Sequence, residues 1–168
     1  ALATNITSSD NTAVGRAALS ATTGDSNTAV GKGALENNSS ASNNTAVGMD
    51  ALQANTTGDR NTAVGRAALN FNTTGQYNEG VGFSALYANT TASDNTGLGY
   101  YALVSNTTGT KNTAVGAFAL DANTTADHNT GIGYGALSTT TTGATNTAVG
   151  DRALQNTTTG GGNTSVGY

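Results

Sequence analysis

The chain has no cysteine, no proline and no tryptophan, a single histidine, and only 10% charged residues. Without cysteine there is no disulfide scaffold, and one histidine cannot build a Cys/His metal cage. No apolar run is long enough for a membrane-crossing helix, so no membrane insertion of that kind is expected. Aromatic residues make up 5%, little for an ordinary globular core. A formal net charge of −4 argues against nucleic acid and anionic membrane surfaces as partners. What the chain does have is Thr (32), Ala (28), Gly (23) and Asn (21), together 104 of 168 residues. Composition alone would suggest disorder. The order of the residues points elsewhere.

Asn-Thr-Ala-Val-Gly begins at Asn11, and close variants begin at Asn27, Asn44, Asn61, Asn78, Asn95, Asn112, Asn129, Asn146 and Asn163. The spacing is 16 once and then 17, with the short unit falling between Leu19 and Asn27. The unit reads N-T-A-V-G-x-x-A-L-x-x-N-T-T-G-x-x, numbered here from its first Asn. Gly at position 5 and Leu at position 9 recur throughout. Seventeen residues are too few for two packed helices, a fixed Gly weakens a helix, and collagen needs Gly every third residue. The period suits one turn of a parallel β-solenoid, an all-β roll of about ten coils. Two strands per coil are expected, one at Thr-Ala-Val and one centred on Ala-Leu, with Asn-Thr-Thr-Gly as the wider turn. Of the 16 charged residues, 15 fall at positions 6, 7, 10, 16 or 17, the variable places expected of solvated turns; the exception is Glu79 at position 2.

Alternation along a strand assigns the faces. Taking the larger residues as inward gives a core ladder of Val14, Val30, Val47, Val64, Val81, Leu98, Val115, Ile132 and Val149. A second core ladder is Leu19, Leu35, Leu52, Leu69, Leu86, Leu103, Leu120, Leu137 and Leu154. The uniformly small residues then point outward: Ala13, Ala46, Ala63, Ala114 and Ala148 at position 3, with Ala18, Ala51, Ala85 and Ala119 at position 8. Solvent would not restrict those places to small side chains. The expectation is a homo-oligomer whose chains meet along an alanine surface. Both ends cut through the repeat, so a fragment or a subunit stacking head to tail into a filament is also expected.

The repeated NTAVG followed by Ala-Leu resembles the S-V-A-I-G repeats in the heads of trimeric autotransporter adhesins, the YadA-like head. It is also similar to the NTAxG…AL…NTTG arrays of bacterial and phage tail-fibre proteins. The resemblance spans the whole chain, ten copies in register. It implies a left-handed parallel β-roll, assembled as a trimer and displayed outside the cell on a cell or virion surface. The unit is longer than the usual YadA-like one, and its position 2 is Thr rather than Val.

Catalytic chemistry is sparse, and neither an enzyme nor a cofactor is expected. His128 sits at a variable turn position with no recurring partner to orient it. The aspartates do not recur at one place, which excludes a calcium ladder, and Asp50 and Asp59 read as surface charges rather than a glycosidase pair. Gly97–Gly99 and Gly131–Gly133 are repeat variants without a following helix, not nucleotide loops. Asn-x-Thr sequons at Asn55, Asn72, Asn89, Asn106 and Asn123 read as turn-shaping residues. Phe83, Tyr100, Tyr101, Phe118 and Tyr134 lie at positions 6 and 7, which stacking gathers into one stripe. That stripe is expected to contact neighbouring coils or chains, or a surface glycan or receptor. The sequence thus reads as a structural fibre or adhesin segment. The alternative is an ice-binding solenoid using Thr ladders at positions 2, 13 and 14.

Overall fold

Each repeat contributes one three-residue strand, from Thr12–Val14 (β1) through Thr28–Val30 (β2) to Thr164–Val166 (β10). The computed structural model describes residues 1–3, 7–20 and 22–168. Its ten strands form a single parallel sheet in sequence order. Register is residue on residue: Thr45 pairs Thr62, Ala46 pairs Ala63 and Val47 pairs Val64. At about 4.8 Å per strand, the stack is a rod of roughly 45 Å. No helix is present among the described residues, and the chain is a β-solenoid of about nine turns.

Four positions in each coil, 5, 7, 9 and 17, have positive φ, and those at 5 and 9 shape the interior. Gly at position 5 has φ between +125° and +142° in every copy, and a Cβ there would sit on the carbonyl oxygen of the next coil's Gly, as Gly65 would on Gly82. Both the backbone angle and the stacking contact therefore demand glycine. The Ala-Leu segment is not a second strand. Leu at position 9 is left-handed in every copy, with φ from +46° to +56°, and its N–H donates to the Ala carbonyl of the next coil, as Leu52 does to Ala68 at 3.0 Å. A left-handed non-glycine residue costs about 1–2 kcal/mol. Full burial of the leucine, worth about 1.5–3 kcal/mol, offsets that cost.

The face assignment of the strand is the reverse of the expected one. Ala29, Ala46, Ala63, Ala114 and Ala148 are fully buried inside the coil, and Ala13 is partly so. Ala18, Ala51, Ala85 and Ala119 at position 8 are fully buried as well. The outward residues are Val14, Val30, Val47, Val64, Val81, Leu98, Val115, Ile132 and Val149, all half-buried or exposed. Leucines 19, 35, 52, 69, 86, 103, 120 and 137 fill the lumen, with Leu154 partly buried at the end. They explain why position 3 is small. A methyl on Gly80, Gly97 or Gly131 would lie 3.2–3.4 Å from Cγ of Leu69, Leu86 or Leu120. The space behind the strand belongs to leucine, and no second chain is needed to account for alanine.

Asparagine supplies the rest of the interior. At position 1 each backbone N–H donates to the side-chain Oδ1 of the preceding coil's Asn, from Asn27 on Asn11 (2.8 Å) to Asn163 on Asn146 (2.9 Å). The same side chain's Nδ2 donates to the position-15 carbonyl, as Asn61 does to Gly75 at 2.8 Å. That carbonyl takes a second bond from position 12, Asn72 Nδ2 at 2.9 Å. Donor and acceptor are both required at position 1, which aspartate could not provide. The short coil lacks position 14. Thr22 and Thr23 still pair with Asn38 and Ser39, and Gly24 O still accepts from Asn11, so the omitted residue lies between Thr23 and Gly24.

Candidate binding surfaces

The outward side of the sheet carries two parallel rows. Thr at position 2 and Val at position 4 flank the buried alanine, so the rows run the length of the rod. Thr28, Thr45, Thr62, Thr96, Thr113, Thr130 and Thr147 are half-buried, and their hydroxyls have no partner among the described residues. Glu79 stands in the threonine row and is exposed, the reason a charge is tolerated at that one strand position. The aliphatic row is continuous, with Ile132 39% and Val47 37% exposed in mid-rod.

The other threonine rows differ. At position 13 the hydroxyls are taken: Thr56 Oγ1 donates to Thr73 O at 3.0 Å, and Thr73, Thr90, Thr107, Thr124 and Thr141 repeat the bond up the stack. At position 14, Thr57, Thr74, Thr91, Thr108, Thr125 and Thr142 are exposed on the wide turn.

The turn after the strand holds the aromatic stripe. Phe83, Tyr100, Tyr101, Phe118 and Tyr134 form one connected ring cluster. Phe83 stacks on Tyr100 at 5.5 Å, Tyr101 stacks on Phe118 at 6.0 Å, and Tyr100 meets Tyr101 edge-on at 4.4 Å. Phe118 meets Tyr134 at 5.8 Å. The sequence did not mark what closes the two ends. Arg66 lies over Phe83 at 5.6 Å and Arg152 over Tyr134 at 5.4 Å. Partial desolvation among these rings, then the Tyr101 hydroxyl beside it, pushes the Tyr100 phenol above its ordinary range. Beside the stripe, between the ladders at positions 7 and 10, runs a groove of about 550 Å³ lined by residues that include Asp50, Gln53, Arg66, Asn70, Tyr87 and Tyr101.

The remaining polar candidates have structural surroundings. Asp25, Asp59 and Asp127 each accept a backbone N–H from the preceding coil, for example Ser42 N on Asp59 Oδ1 at 2.7 Å. No cluster of three potential metal ligands occurs among the described residues. His128 is exposed on its turn. The sequon asparagines 55, 72, 89, 106 and 123 are fully buried in the position-12 ladder. No protein-family model, curated protein or solved structure matches the chain.

Proposed function

We propose that the chain is a structural fibre segment, non-enzymatic and displayed outside the cell, whose copies pack side by side through the threonine–valine face. The observation behind this reading is the unbroken aliphatic row on the outside of the sheet, flanked by threonines whose hydroxyls have no partner among the described residues. A soluble rod gains by covering such a row, and a second identical row offers a matching surface. The NTAVG resemblance supports three copies and an adhesin or tail-fibre setting on a cell or virion surface. The contact surface of this proposal is Thr/Val, in place of the alanine surface expected from the sequence.

Sedimentation of the purified chain tests it. The wild type should run as a multi-chain species, and Val64→Lys with Val115→Lys should run as a single folded chain. A wild type that is a single chain at every concentration overturns the reading. The same rows favour one other reading, ice binding, because unpartnered hydroxyls and methyls repeat at one strand spacing on a parallel sheet. Thermal hysteresis in the wild type, lost on replacing Thr62 and Thr113 with Lys, would establish that reading instead.

A further inference from the structure

The groove beside the aromatic stripe lies on the turn after the strand, away from the outward threonine and valine rows, so a ligand held there does not depend on side-by-side packing of chains. Its floor is made where small residues interrupt the position-7 ladder: Asp50, then Ala67, Ser84 and Tyr101 in successive coils. One end is walled by the rings of Phe83, Tyr87 and Tyr101, and the other by Asp50, Gln53, Arg66 and Asn70. The polar end is held in shape from within. Asn70 Nδ2 donates to Asp50 O at 2.8 Å, and Gln53 Nε2 donates to Glu36 Oε2 at 2.8 Å. Among the described residues the Asp50 carboxylate has no hydrogen-bond or ionic partner, and the Arg66 guanidinium lies over the face of Phe83 without an ionic partner. A second, smaller groove of about 260 Å³ shares Asp50 and Gln53 and carries the depression on to Lys32 and Arg16. Together they form one cleft along the rod axis over six coils, roughly 24 Å at the strand spacing.

We propose that this cleft binds a neutral hexose chain laid along the rod. Aromatic rings take the C–H face of a pyranose. A free carboxylate, a free guanidinium and side-chain amides take its hydroxyls, with donors and acceptors both on offer. Along the cleft Arg16, Lys32 and Arg66 stand against Glu36 and Asp50, so the charges nearly balance, and the two carboxylates work against a polyanion. A pyranose in an extended chain advances by about one coil spacing, so successive sugars meet successive coils.

Titration calorimetry of the intact chain tests the assignment, with soluble oligomers of glucose, mannose and galactose as probes and oligogalacturonate as the anionic comparison. Two variants use residues that neighbouring coils already carry at the same position: Tyr101→Ser, as at Ser84, and Asp50→Ala, as at Ala67. Tyr77→Ser, on a different turn, is the control. The expected result is binding of at least one neutral oligomer by wild type and control, weakened about tenfold or more in each groove variant with the β-structure retained by circular dichroism. No binding of any neutral oligomer overturns the proposal. So does equal binding by both groove variants, or a preference for oligogalacturonate. A groove variant that changes the sedimentation of the chain without changing sugar binding also overturns it, and assigns the stripe to contact between copies.

Discussion

Ala114 and Val115 sit side by side, and the smaller one is inside. The lumen behind the strand is filled by leucine, so room for a side chain at position 3 ends at Cβ. Ala114→Val should therefore overpack the coil and cost about 1–3 kcal/mol. Val115→Ala, on the outward face, should cost under about 1 kcal/mol, since the valine is only half-buried. Urea midpoints of the two variants check the order, and a larger loss from Val115→Ala would mean the faces are reversed. Asp121 makes a second case. It is half-buried at position 10, its Oδ1 has no partner, and burial pushes its carboxyl above the usual aspartate range, against the opposing pull of the Asp121 and Ala122 backbone N–H groups. The folded chain thus holds this proton more tightly than the unfolded chain does. Stability falls as pH rises from the ordinary aspartate range through the raised value, and the loss is complete above it. Asp121→Asn, matching Asn70 at the same position, should equal the wild type in acid and exceed it at neutral pH. Equal urea midpoints at neutral pH would show that the Asp121 carboxylate is solvated.

At the scale of the coil, the asparagine ladders join one turn to the next. At position 12, Nδ2 of each Asn donates to Oδ1 of the coil before it, from Asn55 on Asn38 (3.3 Å) to Asn123 on Asn106 (2.8 Å). The ladder stops where Thr140 replaces asparagine, and Asn123 Oδ1 is left buried without a donor. An unmet buried acceptor costs about 1–3 kcal/mol. Thr140→Asn should supply the donor and raise stability by about 1 kcal/mol, allowing for the lost bond from Thr140 Oγ1 to Thr157 O. A lower urea midpoint in the variant would deny the ladder that value. Much of the coil was legible in the sequence, because spacing alone reveals the period, the Thr-Ala-Val strand, the fixed glycine and the charged turns. Which side of the strand faces inward was not legible. Alternation says only which residues share a face, and a shift of one residue exchanges the faces. Size favoured valine inside, yet the left-handed leucine at position 9 had already claimed the lumen. The same leucine explains why only one strand forms per coil. The aromatic stripe followed from spacing, whereas the groove beside it depends on how the turn between positions 7 and 10 projects its side chains.

At the scale of the whole rod, every coil touches only its two neighbours, so stability accumulates coil by coil. Each strand pairs in register with the one before and after, from β1 to β10, and the asparagine and glycine contacts follow the same rule. Such a stack has no unique centre. Excising one full unit, residues 61–77, should let Thr45–Val47 pair directly with Glu79–Val81 and leave the Leu, Asn and Gly ladders continuous, at the loss of one coil's contribution. The groove beside the aromatic stripe would shorten with it, since Arg66, Ala67 and Asn70 leave together. Excising residues 61–69 alone should be far worse. The fixed glycine and the luminal leucine would vanish while the asparagine at position 12 remained, and the chain could not close the turn. Circular dichroism and hydrogen exchange separate the outcomes. The full-unit deletion should keep β-structure and protected amides on both sides of the junction. The partial deletion should lose protection there. Equal tolerance of both would mean that the coils are not independent stacking units and that the rod's order comes from contacts longer in range than one turn.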